Sequence, residues 1–254
     1  MEVSFALATV ETVALASVRI VAFLVVAPPF SHRAVPARVR AMLSVGLALA
    51  VLPRLEAPTT TEMTAFFGAL VVQVVVGAAL GFVTYALVAA VAAAGSFIDF
   101  FGGFQIAQAY DPQSMVMGAQ FTRLFQMIAV VLMFVTGAYQ VTLAGLAASF
   151  DVVPLHGGLD LGPVAGEAAH VAGRMFLVAL QVAGPLVVVL FLADAALGLI
   201  TRVAPALNAF VLGFPLKILL TLLLVPFVML ALPGLVERLA DDSTLSFGRL
   251  LGVG

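Results

Sequence analysis

The residue types that carry out covalent or metal chemistry are sparse in this chain and poorly spaced for it. His32, His156 and His170 fall in different joints between apolar segments. No His-Glu-x-x-His pair places two imidazoles on one helix face to hold zinc. No Gly-x-x-x-x-Gly-Lys-Ser/Thr loop is present to cradle phosphates. Ser31, Ser44, Ser96 and Ser149 lack the Gly-x-Ser-x-Gly turn that exposes a serine nucleophile. Cysteine is absent, which excludes disulfides, thiolate nucleophiles and Cys-type metal sites. The sequence therefore asks for no catalytic residue, no cofactor and no metal, and it reads as a non-enzyme.

Charge inside apolar sequence is the stronger clue. Arg19, Asp194 and Lys217 lie within or at the ends of long apolar blocks, and Arg202 follows close behind one. A charge at the bilayer centre costs about 2.5–3.5 kcal/mol even on the lenient insertion scale, so such residues face protein or water. Two uses are open. The three could form a midplane site of an ion-coupled secondary transporter. Alternatively, they are structural: an interhelix pair such as Asp194 with Lys217, or a basic side chain reaching back to the interface. A second feature is the stretch Phe101-Gly102-Gly103-Phe104-Gln105, followed by Met115, Met117 and Gly118. Glycine permits tight turns and close backbone approach, and methionine adapts to several partners. Together they suit a deformable loop between two spans, with a gating role set against that of an ordinary connector.

The elements that must position these residues are apolar helices. The chain has 254 residues, of which 63% are hydrophobic and only 9% charged, against about a quarter charged in a soluble domain. Most of its outer face must therefore meet lipid or other protein. Spanning backbone has to satisfy its own hydrogen bonds, which leaves helices or closed barrels. Long blocks such as Ala65–Ala94 do not alternate as barrel strands would. The expected fold is all-α: a polytopic membrane protein of about six hydrophobic helices with bent or re-entrant hairpins. The blocks run roughly over Phe5–Ala27, Met42–Leu52, Ala65–Ala94, Leu124–Ala148, Met175–Ile200 and Leu207–Leu232. The second is too short to span comfortably. With a formal net charge of −2 there is no basic face for nucleic acid. The first block lacks a basic n-region and reads as a retained helix, not a removed signal peptide.

Proline punctuates the joints. Pro28 and Pro29 end the first block, and Pro36 suits the first turn of the next helix. Arg33, Arg38 and Arg40 in this joint favour a cytoplasmic placement, with the N-terminus outside. Ser96–Arg123 and Ser149–Arg174 are the longest polar-leaning joints, and Glu237–Gly254 reads as an interfacial helix or a disordered end. Pro36-Ala37-Arg38 and Pro215-Leu216-Lys217 share a Pro-x-basic opening to an apolar run, and Gly77-x-x-x-Gly81 has the spacing of close helix packing.

Several separated motifs then form a pattern. These are Pro28-Pro29-Phe30 with Val35-Pro36, and Gly77-Ala78-Ala79-Leu80-Gly81-Phe82. Next come Ala94-Gly95-Ser96-Phe97-Ile98-Asp99, Gly102 to Ala107 with Asp111-Pro112, and Ser149-Phe150 with Pro154. The most specific is Leu197-Gly198-Leu199-Ile200-Thr201-Arg202-Val203-Ala204-Pro205, with Asn208-Ala209-Phe210 and Gly213-Phe214-Pro215-Leu216-Lys217. Over nearly its full length the chain resembles the FliR family of flagellar and type III secretion export-gate proteins. The last motif also resembles the two-helix protein FliQ. Gln73 stands where family members often carry Glu, and Gly137-Ala138-Tyr139-Gln140 replaces a more usual Gly-Gly-His.

The resemblance implies a single membrane domain over 1–254. Residues 1–170 would be FliP-like and include a plug loop at 101–118, 175–232 would be a FliQ-like hairpin, and 237–254 a polar tail. It implies a subunit of the bacterial inner membrane, in the flagellar basal body. FliP-like and FliQ-like subunits would be its partners in the gate, FlhA- and FlhB-like export components would stand nearby, and unfolded secreted proteins would be the cargo. Arg19, Asp194, Arg202 and Lys217 would anchor helices or subunits. Pro28, Pro29, Pro36, Pro205 and Pro215 would mark the helix joints.

Overall fold

Long runs of Leu, Val, Ala and Phe with isolated glycines can bury their backbone polar groups only by coiling, and coiling is what they do. The computed structural model describes residues 2–32, 34–55, 63–104, 120–158, 160–204 and 209–252, with side chains left out at 2–7 and 209–211. Seven helices are described: α1 (Glu2–Val26), α2 (Ala37–Val51), α3 (Met63–Phe101), α4 (Gln120–Val135), α5 (Ala138–Val152), α6 (Leu161–Val203) and α7 (Ala209–Leu250). A 3₁₀ turn at Leu52–Arg54 closes α2. No strand occurs among the described residues. The chain is thus an all-α, polytopic membrane protein.

The apolar blocks reappear as helices, but not as six spans. Among the described residues four helices are long and apolar enough to cross a membrane, or five if α4 and α5 together count as one broken span. At about 1.5 Å per residue, the fifteen residues of α2 fall short of the roughly 30 Å hydrocarbon layer. The block Leu124–Ala148 is interrupted at Thr136-Gly137, where Gly137 takes φ 76°. A side chain rarely adopts that left-handed backbone, so glycine allows the chain to leave one helix and begin another. Helix also extends into the polar joints expected from composition. α3 runs on through Asp99 to Phe101, α6 begins as early as Leu161, and α7 continues past Glu237 to Leu250. Asp99 finds donors at the start of α4, and the end of α7 buries Phe247 and Leu250, so composition alone misplaced these ends.

The chain divides into two compact units, each built from separate stretches of sequence. The first comprises 1–87, 137–172 and 238–254, and the second 88–136 and 173–237. In the first unit Leu15, Ile20, Phe23 and Leu24 of α1 share a core with Val76, Leu80 and Val83 of α3, Leu146 and Phe150 of α5, and Phe247 and Leu250 of α7. In the second, α4 buries Phe121, Phe125, Ala129 and Met133 along one face. There α6 buries Ala179, Ala183, Leu186 and Leu190, and α7 buries Val225, Leu232 and Val236.

Small residues let α1 and α3 meet backbone to backbone. A β-carbon on Gly77 would collide with the Arg19 carbonyl oxygen, and one on Gly81 would lie 2.9 Å from Val26 Cβ and 3.0 Å from the Phe23 oxygen. The Gly77-x-x-x-Gly81 spacing is therefore a true contact. Gly46 on α2, by contrast, has nothing within 4 Å of its would-be β-carbon. Gly77→Ala is expected to lower stability by about 1–3 kcal/mol through overpacking, read as a lower unfolding temperature in detergent. Gly46→Ala should leave that temperature unchanged or raise it.

Candidate functional site

Arg19 is the largest fully buried side chain of the first unit, and every part of its guanidinium is engaged. Nε donates to Gln73 Oε1 at 2.6 Å. One terminal nitrogen donates to the Ser149 carbonyl at 2.9 Å and to Ser149 Oγ at 3.2 Å, and the other to the Val153 carbonyl at 2.7 Å. The Phe150 ring lies 4.2 Å from the guanidinium carbon, within cation–π range. Gln73 in turn donates from Nε2 to the Leu155 carbonyl at 2.8 Å. Ser149, Val153 and Leu155 lie at and just beyond the end of α5, the negative end of its helix dipole, and the Ser149 carbonyl also accepts from the Val153 N–H at 3.0 Å. The cation is met by carbonyl oxygens, a hydroxyl, an amide and a ring, with no carboxylate among the described residues. The arrangement ties α1, α3 and the end of α5 together.

In the second unit Lys217 Nζ on α7 stands 2.7 Å from Asp194 Oδ1 on α6, with Asp194 about half exposed. Close by, a β-carbon on Gly213 would touch Leu197 at 3.5 Å, so the two helices pack tightly beside the pair. Arg202, in the last turn of α6, is exposed. Arg19 thus uses its donors inside the first unit, while Asp194 and Lys217 pair in the second. Among the prolines, Pro28 and Pro29 follow α1 through a cis peptide, and Pro36 is the N-cap of α2, its carbonyl accepting from the N–H groups of Val39 and Arg40. Pro215, expected at a joint, lies within α7. Pro205 lies outside the described residues.

The Gly/Met-rich stretch begins at the end of α3. Phe101 is the last helical residue, and the Gly102 N–H donates to the Ile98 carbonyl at 2.8 Å. Gly103 follows at φ 81°, the left-handed conformation that commonly terminates a helix. Its α-carbon lies against Phe214 of α7, since a β-carbon there would come within 3.1 Å of that ring. The Phe104 ring packs edge-on against Phe121 of α4, centroids 5.0 Å apart. Gln105, Met115, Met117 and Gly118 lie outside the described residues.

Asp99, in the Ala94–Asp99 motif, is a further buried charge on α3 that composition does not single out. Its carboxylate, fully buried, accepts from the Phe121 N–H at 2.9 Å and from the Thr122 N–H and hydroxyl, both at 2.8 Å. The signal lay in its helix: Asp99 is the one charged residue in the 39 of α3.

The outer faces of α6 and α7 are apolar. Phe176, Leu180, Phe191, Leu192 and Leu199 on α6 are largely exposed, as are Leu219, Leu222, Leu223, Phe227 and Leu230 on α7. These two helices bury the smallest share of their apolar windows. Such surfaces require lipid or protein to cover them.

Comparison with known proteins relates the sequence to bacterial export proteins. The sequence model of the family described as "Bacterial export proteins, family 1" matches residues 10–243. The chain is 38% identical over 208 residues to the flagellar biosynthetic protein FliR of Bacillus subtilis (strain 168), covering 79% of each chain. It is 33% identical to FliR of Escherichia coli (strain K12), covering 88% of this chain and 86% of that one. It is 29% identical to the Yop proteins translocation protein T of Yersinia pestis, covering 72% of both.

Arg19→Met should lower stability by about 3 kcal/mol or more, because it strands several buried acceptors. Arg202→Met, at an exposed position, should leave the unfolding temperature in detergent nearly unchanged.

Proposed function

Because this chain belongs to the bacterial export proteins, family 1, we propose that it is a non-enzymatic subunit of a flagellar export gate. With FliP-like and FliQ-like subunits it forms the mouth of the channel through which unfolded flagellar proteins leave the cell. It sits in the inner membrane within the flagellar basal body, beside FlhA- and FlhB-like export components, and the drive is supplied elsewhere in the machine. The observation that carries the reading is the match to FliR across most of both chains. The flagellar assignment is favoured over a secretion injectisome by the higher identity and wider coverage of the FliR relatives compared with the Yop translocation protein.

The physical character of the molecule supports this reading. α3, α6 and α7 contain 39, 43 and 42 residues, or about 60 Å each at 1.5 Å per residue, twice the roughly 30 Å hydrocarbon thickness. Apolar surface on helices of that length has to be covered by protein where lipid ends. Residues 175–232, which take in parts of α6 and α7 and carry the Asp194–Lys217 pair, correspond to the FliQ-like part. The stretch 101–118 serves as the plug, with Phe101, Phe104, Met115 and Met117 occluding the closed pore and Gly102, Gly103 and Gly118 allowing it to move aside. Arg19, Asp194, Arg202 and Lys217 anchor helices and neighbouring subunits.

Co-expression with FliP and FliQ homologues should yield one large complex containing all three proteins. A chain that purifies alone and monodisperse while its homologues assemble without it would remove the gate assignment. Within an assembled gate, deletion of Gly103–Met117 should make cells leak small ions, and unchanged conductance would remove the plug.

A further inference from the structure

Four of the chain's eleven lysine and arginine residues, Arg33, Arg38, Arg40 and Arg54, fall in one short stretch, and no Asp or Glu occurs between Glu11 and Glu56. The chain as a whole has a net charge of −2, so the positive charge here is a local excess. α2 lies inside it. Of its fifteen residues only Ser44 and Ala48 are buried. On the opposite side Arg38, Met42, Val45 and Leu49 follow one another at i, i+4, i+7 and i+11, the spacing that lines side chains up along a helix. All four are exposed. Gly46, on the same side, has nothing within 4 Å of a would-be β-carbon, so the face is open. At the head of the stripe Arg40 donates from Nε and one terminal nitrogen to the Val35 carbonyl, at 3.3 and 3.1 Å. That holds a second guanidinium at the start of α2. From Arg38 to Leu49 the stripe measures about 16 Å at 1.5 Å per residue, close to one leaflet of the roughly 30 Å hydrocarbon layer.

We propose that the outer face of α2 binds an anionic phospholipid, with the headgroup phosphate on Arg38 and Arg40 and an acyl chain along Met42, Val45 and Leu49. Charge selects this occupant. An apolar stripe alone suits any acyl chain, whereas two guanidinium groups at one end, in a stretch free of carboxylates, favour a headgroup of opposite sign. The stripe reaches as far as a lipid tail does and then stops. The inference adds a lipid requirement to the export role and does not rest on it.

The full chain, purified in a non-ionic detergent, is titrated with phosphatidylglycerol or with phosphatidylcholine of the same acyl chains, and bound lipid is read by native mass spectrometry. The wild type is expected to prefer phosphatidylglycerol about 25-fold, about fivefold for each arginine, and less so at high salt. Arg38→Gln should weaken phosphatidylglycerol about fivefold, and the double variant Arg38→Gln, Arg40→Gln should lose the preference, with phosphatidylcholine unchanged. Arg123→Gln, at an exposed position on α4, should alter neither. Glycerol phosphate, which has the charge and no acyl chain, should not compete. A wild type without preference, a double variant that keeps it, or glycerol phosphate competing as well as the lipid overturns the proposal. So does Arg123→Gln weakening the lipid as much as Arg38→Gln, which would mark a general charge effect. Should the double variant fail to fold because Val35 loses its donor, Arg38→Gln alone decides. In the complex with FliP and FliQ homologues the wild-type chain should retain the lipid; its loss on assembly would show that a protein neighbour covers the face, and would overturn the proposal while leaving the gate assignment standing.

Discussion

A guanidinium enclosed by apolar helices must find acceptors for its N–H groups, and Arg19 finds them at the end of α5. The Ser149 and Val153 carbonyls, the Ser149 hydroxyl and the Gln73 amide take up its donors, and the Phe150 ring lies against it. The bonds fix three elements at once. On α1, the carbonyl of the same residue meets Gly77, so α3 can approach only where a side chain is missing. At the far end of the network, Gln73 passes a hydrogen bond on to Leu155. The first unit is held at its centre by polar bonds and around them by the apolar core. Loss of any one partner would strand the others in a medium without water, where an unmade bond is most costly.

The second unit meets the same physical demand with the opposite charge. Asp99 faces the N-terminus of α4 and binds its backbone donors, as Arg19 faces the C-terminal end of α5 and binds the Ser149 and Val153 carbonyls. Each charge is matched to the helix end whose dipole it complements. A helix end can thus replace a counter-ion and spare the protein a second buried charge. The Lys217–Asp194 pair differs, since Asp194 is about half exposed and the two side chains satisfy each other. That pair lies at the surface and not in a closed core.

Covering the remaining apolar surface is the other constraint on this molecule. α6 and α7 leave long rows of Leu, Phe and Val open, and both are about twice as long as the hydrocarbon layer is thick. That surface requires lipid or protein to cover it. The helices carry little charge because their outer faces are not meant for water.

The all-α membrane class was legible in the sequence, because apolar run length and scarcity of charge act locally and are indifferent to partners. The family was legible too, since its motifs sit where the chain turns or packs closely. Gly77 and Gly81 announced a close approach, and Arg19 announced a buried charge. What the sequence left open were the helix ends and the identity of the partners. Asp99, read as part of a joint, lies in helix because Phe121 and Thr122 of another segment satisfy its carboxylate. Gln73 read as a departure from a pattern until it met Arg19, fifty-four positions away. Only the tertiary structure brings such residues together, because a hydrogen bond depends on distance in space and not along the chain.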